Sequence, residues 1–357
     1  MPKNNNKRNM HPDYGRKEAA ETLATPARET VCSLNNMLEA EDRTHRNVGY
    51  KNSVSRYHML KMSKCNALCN ELIDGTYEPQ KGEKHEVFEP KYRLVTSSKY
   101  KDRIVQSSFI TNYYYETVIP NLIQNNFACI KDRGVDLARE TFKAILAEAS
   151  MDDFCLKVDM KDYFGSIIHE NLYGELFELI TDEWARAFFI QTCENSSNPN
   201  GLDLGSEVYQ LAATSFPNKL DHMLDNGKFI RYQDDLIFVG NREECTEALR
   251  LIRAETDRLN LTISEKKTYI QTVKNPIRFL GFTFWRHESG RVTMKRLPEK
   301  IRKEKRKLKR MKDKGVPIER VEEHYKSVRE CLRKGSRSDL MKMDRYFNEL
   351  FYGGKNR

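Results

Sequence analysis

Apolar and polar positions divide the chain into stretches of different rhythm. Residues 1–30 are polar with few apolar anchors, which predicts a flexible N-terminus. Over residues 31–72 apolar side chains recur at helical spacing (Leu34, Met37, Leu38; then Met59, Leu60, Leu68, Leu72), which predicts helices. Gly75-Thr76-Tyr77-Glu78-Pro79 breaks that rhythm. Val87-Phe88-Glu89-Pro90 and Arg93-Leu94-Val95 read as short strands about a turn, and residues 104–123 and 135–149 as helices. Phe154, Leu156 and Val158 alternate with Cys155, Lys157 and Asp159, the pattern of a half-buried strand ending on an acid. Helices are predicted over 169–180 and 183–192, with a Ser/Asn/Pro loop over 195–200. Ser206 and Glu207 open a helix with Val208, Leu211 and Ala212 on one face, which Pro217 bends or ends. Residues 229–232 and 235–239 form two strands about a Gln233-Asp234 turn, followed by an amphipathic helix over 243–259. A second hairpin spans 279–285 and 291–295, and charged helices cover 298–312 and 319–332.

This alternation describes an α+β protein. At 357 residues there is material for two or three structural units with a large core. Gly (17) and Pro (11) are sparse, which favours long helices over a loop-rich all-β fold. No run of 18 apolar residues exists, so no membrane span is expected, and the polar start does not read as a secretory signal. The eight Cys include no Cys-x-x-Cys pair, so reduced thiols and a cytoplasmic location are expected. Net charge is +9, but residues 295–357 hold 22 Lys or Arg against 10 Asp or Glu, a local balance of +12. The rest of the chain therefore sums to −3. A basic end on a near-neutral body points to a polyanionic partner, against the plainer reading of a solvated helix face.

Three carboxylates stand where chemistry can use them. Asp159 ends a predicted strand, and Asp234 with Asp235 occupies a hairpin turn. Acids at a strand end and a hairpin tip can hold two hard divalent cations, which take oxygen ligands and substrate phosphates. An Asp-Asp pair alone is also an ordinary polar turn.

The surroundings of these acids resemble the reverse transcriptases. Tyr232-Gln233-Asp234-Asp235 is similar to their motif C, and Leu156 to Phe164 to motif A, with an aromatic five residues after the acid. Gly201-Leu202-Asp203-Leu204-Gly205-Ser206, with Gln210, resembles motif B. Glu265-Lys266-Lys267-Thr268 resembles motif D, and Phe279-Leu280-Gly281-Phe282 motif E, the primer grip. Glu89-Pro90-Lys91, Arg93 and Asp102-Arg103-Ile104-Val105 resemble the fingers motifs. Asn126-Phe127-Ala128-Cys129 with Arg133-Gly134 is similar to a further block of bacterial enzymes. The order is that of the family, over residues 75–310.

The resemblance implies a right-hand polymerase: fingers and N-terminal extension over 31–150, a palm with an antiparallel sheet over 151–295, and a basic helical thumb over 296–357. It implies an RNA-directed DNA polymerase that adds dNTPs to a primer on an RNA template, making DNA with two Mg²⁺ ions; Mn²⁺, a non-coding RNA and an oligomer are compatible with it. Asp159, Asp234 and Asp235 would hold metal. Lys267 would protonate the leaving pyrophosphate, with Lys266 equally placed by position alone. Lys91, Arg93, Arg103, Phe164 and Gln210 would meet the nucleotide, Phe164 excluding a 2′-hydroxyl unless it is an ordinary core aromatic. Gly201, Gly205, Ser206, Arg133, Phe279, Leu280 and Gly281 would meet template or primer. Arg103 could instead only pair with Asp102.

Motif B departs from the Pro-Gln-Gly of group II intron enzymes, and few residues follow 310 for an endonuclease or ribonuclease H domain. Its wording resembles bacterial cellular enzymes, those of diversity-generating retroelements and of anti-phage defence; defence is the expectation, by analogy alone. The rival readings are a template-independent or protein-primed polymerase, with Tyr346 or Tyr352 as priming hydroxyls, and an RNA-binding protein with a silent polymerase fold.

Overall fold

The computed structural model describes residues 26–46, 48–88, 92–198 and 200–353. Of the predicted features, most of the flexible N-terminus, the Glu89-Pro90-Lys91 segment and Pro199 lie outside the described residues. Four helices come first: α1 (Ala27–Val31), α2 (Leu34–His45), α3 (Asn52–Met59) and α4 (Lys61–Ile73). α1 begins inside the segment read as flexible, because Ala27 and Val31 are buried anchors. The Ser33 hydroxyl caps α2 by accepting from the Asn36 N–H. An antiparallel hairpin follows, β1 (Glu83–Val87) with β2 (Arg93–Ser97).

The predicted helix over 104–123 is composite. α5 (Tyr100–Phe109) runs through a π turn, Ile110–Tyr114, into the short α6 (Tyr115–Thr117). Pro120 then stands in a 3₁₀ turn, having no N–H to continue the helix. α7 (Val135–Glu148) leads to the central sheet.

That sheet is antiparallel. β3 (Phe154–Lys161) pairs on one side with β5 (Asp235–Gly240), which pairs with β4 (Phe229–Tyr232). On its other side β3 pairs with β6 (Thr262–Ile263) and β7 (Tyr269–Thr272). β3 was expected to be half-buried, yet both faces are covered. Leu156, Val158 and Met160 belong to one apolar core with Leu236 and Phe238. Cys155 packs into a second core with Ile230, Ile237 and Val239. The first core contains the helices between the strands: α8 (Tyr163–Ser166), α9 (His169–Leu176), α10 (Glu183–Glu194), α11 (Glu207–Ser215), α12 (Asn218–Leu224) and α13 (Arg242–Arg258). An Asn241–Glu244 capping box starts α13.

The second core is closed by a three-stranded sheet of β8 (Ile277–Phe279), β9 (Phe282–Arg286) and β10 (Val292–Arg296). The single strand expected over 279–285 is interrupted because Leu280 and Gly281 both have positive φ (43° and 84°), which makes a tight two-residue hairpin. Three helices end the chain: α14 (Pro298–Asp313), α15 (Ile318–Arg333) and α16 (Arg337–Tyr352). They share their own core, in which Tyr325 and Phe347 stack at 3.9 Å. α16 falls within the region expected to be helical, though no bounds were assigned to it; Ser336 caps it by accepting from the Asp339 N–H. Among the described residues no helix is long and apolar enough to cross a membrane.

Candidate active site

The register of the central sheet brings the acids together. Asp159 on β3 lies directly opposite Asp235 on β5, and Tyr232 pairs with the same Asp235. The Met160 N–H donates to the Asp234 carbonyl at 3.1 Å, and the Ser264 N–H to the Asp159 carbonyl at 2.8 Å. Both acids thus have their backbone fixed by hydrogen bonds. They line an open cleft of about 550 Å³ with Arg93, Phe164, Leu204, Lys267 and Leu280.

Like charges directly opposite on a sheet repel. Burial, then Asp235, then Asp159 push the Asp234 carboxyl up to about 6, and Lys267 only partly offsets this. Two cations answer three acids: Lys267 Nζ stands 2.6 Å from Asp159 Oδ1 and Lys157 Nζ 3.3 Å from Asp235 Oδ1. A crowded, under-compensated set of carboxylate oxygens is the donor set a hard divalent cation fits.

The turn that carries Asp234 is strained. Gln233 has φ +55°, at a hairpin position where glycine is usual. Its side chain points inward, Nε2 donating to Thr214 Oγ1 at 2.8 Å and contacting Cys129 Sγ at 3.4 Å.

Of the expected positions the three acids, Arg93, Phe164, Lys267 and Leu280 line the cleft. Phe164 lines it while neighbouring Tyr163 is buried and donates to the Ala213 carbonyl at 2.7 Å. Arg93 is exposed at its rim. The Leu280–Gly281 turn faces it through Leu280, whose carbonyl accepts from Arg139 Nε at 3.1 Å; that guanidinium also sits 4.4 Å over the Phe282 ring. Lys91 lies outside the described residues.

Other expectations need correction. Phe279 is fully buried in the second core and anchors the grip rather than touching a primer. Arg133 is a loop clamp: its Nη1 donates to the Ile123 and Asn126 carbonyls at 2.7 and 2.8 Å. Arg103 neither enters the catalytic cleft nor pairs with Asp102. It lines a separate cleft with Arg43, Gln106 and Glu207, while buried Asp102 accepts from the Tyr77 hydroxyl at 2.9 Å. Ser206 is buried, donating to Gln106 Oε1 at 3.3 Å. The motif-B glycines pack closely on other parts of this chain: a Cβ on Gly201 would lie 2.4 Å from the Gly165 carbonyl, and one on Gly205 2.5 Å from that of Thr96, while Gly205 also lines the cleft of Arg103. Gln210 sits behind the cleft, its Oε1 accepting from Cys129 Sγ at 3.7 Å.

Lys157, Arg139, Gln233 and Ser264 were missed. Lys157 and Gln233 stood beside identified acids, so only the register was lacking; Arg139 had no sequence signal. Another group of potential metal ligands, Glu41, Asp42 and His58, is already compensated: Tyr100 and His58 bond Glu41, and Lys61 stands 2.6 Å from Asp42.

Residues 80–284 match the profile of the reverse transcriptase (RNA-dependent DNA polymerase) family. The chain belongs to that family. The α+β right-hand polymerase fold expected from the sequence is accordingly the fold present, and its acids and turn are the elements just described. No curated protein matches the chain in sequence. Among solved structures it is similar to apo telomerase from Candida tropicalis, at 9% identity and TM-score 0.42, covering 61% of this chain and 52% of that one. Telomerase from Candida albicans, in complex with a fragment of telomeric RNA, gives 13% identity, TM-score 0.46 and coverage of 76% and 55%. The reverse transcriptase family member described here therefore spans just over half the length of these chains.

Proposed function

We propose that the chain is an RNA-directed DNA polymerase that extends a primer by phosphoryl transfer at Asp159, Asp234 and Asp235. The observation that carries this reading is the register that sets Asp159 against Asp235, with Asp234 pushed up to about 6 beside them. The three carboxylates would hold divalent cations, Mg²⁺ or Mn²⁺, whose chemistry would be to neutralise charge developing in the phosphoryl transfer. The primer hydroxyl gives up its proton to water, its oxygen bonds to the α-phosphorus, the bond from that phosphorus to the oxygen bridging to the β-phosphate breaks, and pyrophosphate leaves. Arg93 receives triphosphate oxygens at the cleft rim. Phe164 floors the sugar pocket. Lys267 supplies the proton to the leaving group. The Leu280–Gly281 turn, held by Arg139, carries the primer end.

In this reading residues 31–150 are N-terminal extension and fingers, 151–295 the palm and 296–357 the thumb. α14 carries Lys303, Arg306, Lys309 and Arg310 along one surface cleft, suited to the phosphates of a template–product duplex. The wording of motif B supports a setting in anti-phage defence with a non-coding RNA as template.

The test is primer extension on RNA templates of different sequence. Template-directed dNTP incorporation that needs added divalent metal is expected. Products indifferent to template sequence would replace this reading by a template-independent polymerase, and none on any primed template by a silent fold. Sequencing the nucleic acid that co-purifies checks the setting, where a single structured RNA is expected.

A further inference from the structure

Behind the catalytic turn lies a polar network that the reaction does not touch. Arg231, one residue before Tyr232, is fully buried in an otherwise apolar strand. It forms a two-pronged pair with Asp221 of α12, also fully buried: Nε to Oδ1 at 2.6 Å and Nη2 to Oδ2 at 2.7 Å. Nη2 further donates to the Thr214 carbonyl on α11, and Nη1 to the Gln233 carbonyl at 3.4 Å. Asn126 Nδ2 donates to the same Thr214 carbonyl at 3.0 Å and to Asp221 Oδ2 at 3.3 Å. The Arg231 backbone bonds that loop on both sides, its N–H to the Asn125 carbonyl at 3.0 Å and its carbonyl to the Phe127 N–H at 3.1 Å.

Two features of this arrangement go beyond core packing. A buried ion pair is often replaceable by apolar side chains without loss of stability, so stability alone does not account for it. And the two Nη branches of the guanidinium reach groups that frame Gln233, the residue with the strained positive φ: its own carbonyl and that of Thr214. Such a backbone conformation persists only where its surroundings over-determine it. Here the Gln233 carbonyl is held by Arg231, and its side chain by Thr214, whose own carbonyl Arg231 also holds.

We propose that Arg231 and Asp221 are positioning residues for the reaction: the buried pair locks the turn so that Asp234 presents its carboxylate beside Asp159. The pair also ties that turn to α11, so the helix carrying Gln210 and the acid-bearing hairpin move as one piece. The inference rests on the polymerase reading for its kinetic consequence, but not for its structural one.

The test uses the full chain with two variants. The double variant Arg231→Met with Asp221→Leu removes both charges together and leaves no unpaired ion. Arg231→Lys keeps the charge and loses the fork. Hydrogen exchange is read at Met160, whose N–H bonds the Asp234 carbonyl, against Val239 at the far end of the same strand pair. Exchange about tenfold faster at Met160, with Val239 unchanged, is the expected result. In primer extension the same variants are expected to need about tenfold more divalent metal for half-maximal rate, with duplex affinity unchanged. Wild-type protection at Met160 in a folded variant overturns the proposal, whether or not the wild type extends primers. So does loss of the whole fold in both variants, which would assign the pair to global stability. A wild type that never extends a primer, with Met160 deprotected in the variants, would instead leave the turn lock standing and remove the polymerase reading.

Discussion

Lys267 Nζ donates to Asp159 Oδ1 at 2.6 Å, across 108 residues of sequence. The ammonium occupies the cation-binding side of a carboxylate that belongs to the proposed metal site. The contact raises the Lys267 pKa, chiefly through that hydrogen bond, so the side chain holds its proton while the cleft is empty of substrate. Its side chain is half exposed, free to leave Asp159 once other cations compensate the acids.

Two roles for Lys267 separate on one substitution. If it only neutralises Asp159, Lys267→Met is rescued by more divalent metal. If it hands its proton to pyrophosphate, the chemical step slows by about 10²-fold, and excess metal does not restore it. The second outcome is expected in single-turnover extension across a metal titration. Full rescue at high metal would reduce Lys267 to a counter-ion.

Asp234 gives a pH prediction of opposite sign for activity and stability. Its pKa is about 6 in the fold, above the ordinary 3.8. The native state therefore binds a proton more tightly than the unfolded chain, and without metal the stability it contributes is lost as pH rises from about 4 through 6. Metal-free protein should gain on the order of 2–3 kcal/mol at this one site on acidification across that window. Asp234→Asn should melt above the wild type at pH 7.5 and match it near pH 4. The same variant should lose extension almost wholly while keeping its RNA affinity, because the amide keeps the shape but not the charge. Identical melts of the two proteins at every pH would remove the electrostatic crowding; extension within about tenfold of wild type would remove Asp234 from the metal site.

The three acids were legible because each is local: an alternating strand ending at Asp159, and an apolar hairpin around Asp234 and Asp235. Helix α13 was legible for the same reason. What the sequence withheld was register and direction. Ser206 and Phe279 sit in family-like motifs, yet their side chains turn into the core, which depends on packing partners about a hundred residues away or more. Gly201 and Gly205 were expected to meet template or primer; in the structure each packs closely on the chain's own backbone, at Gly165 and Thr96. Arg231 carried a signal that went unused: a charge inside an apolar strand that cannot be buried without a partner. β6 and β7 were invisible because two- and four-residue strands are defined by pairing with β3, not by their own pattern.

The basic α14 should bind duplex through charge. Arg302, Arg306 and Lys309 are exposed, so replacing all three by Gln should leave the melting temperature unchanged. The slope of log affinity against log salt should fall by about 2–3, roughly one for each phosphate that is no longer neutralised. A slope equal to that of the wild type would assign this charge to solubility.

Under the proposed reaction, Phe164 is the side chain expected to set which sugar the cleft accepts. Asp159 is placed by β3, and after Lys161 the chain turns at Asp162, whose φ is +47°, into α8. After that turn the two aromatic rings meet edge to face at 5.9 Å: Tyr163 is buried and bonded to the Ala213 carbonyl, and the half-buried Phe164 lines the cleft. Its backbone is pinned, the Phe164 carbonyl accepting from the Leu202 N–H at 2.9 Å, and Gly201 packs directly on Gly165. In the proposed reaction a bulky ring fixed there would reject a 2′-hydroxyl by clash, a repulsive element against the wrong substrate. Trimming it by Phe164→Val should raise ribonucleotide relative to deoxynucleotide incorporation by about 10–100-fold, the range of about 1–3 kcal/mol for one steric feature of a pocket. Because the ring also rests partly on the first core, some loss of stability is expected alongside, and a thermal melt separates the two effects. Single-turnover incorporation of both nucleotide types is the deciding measurement. A folded variant with the wild-type sugar preference would make Phe164 a packing residue and leave discrimination to another side chain of the cleft.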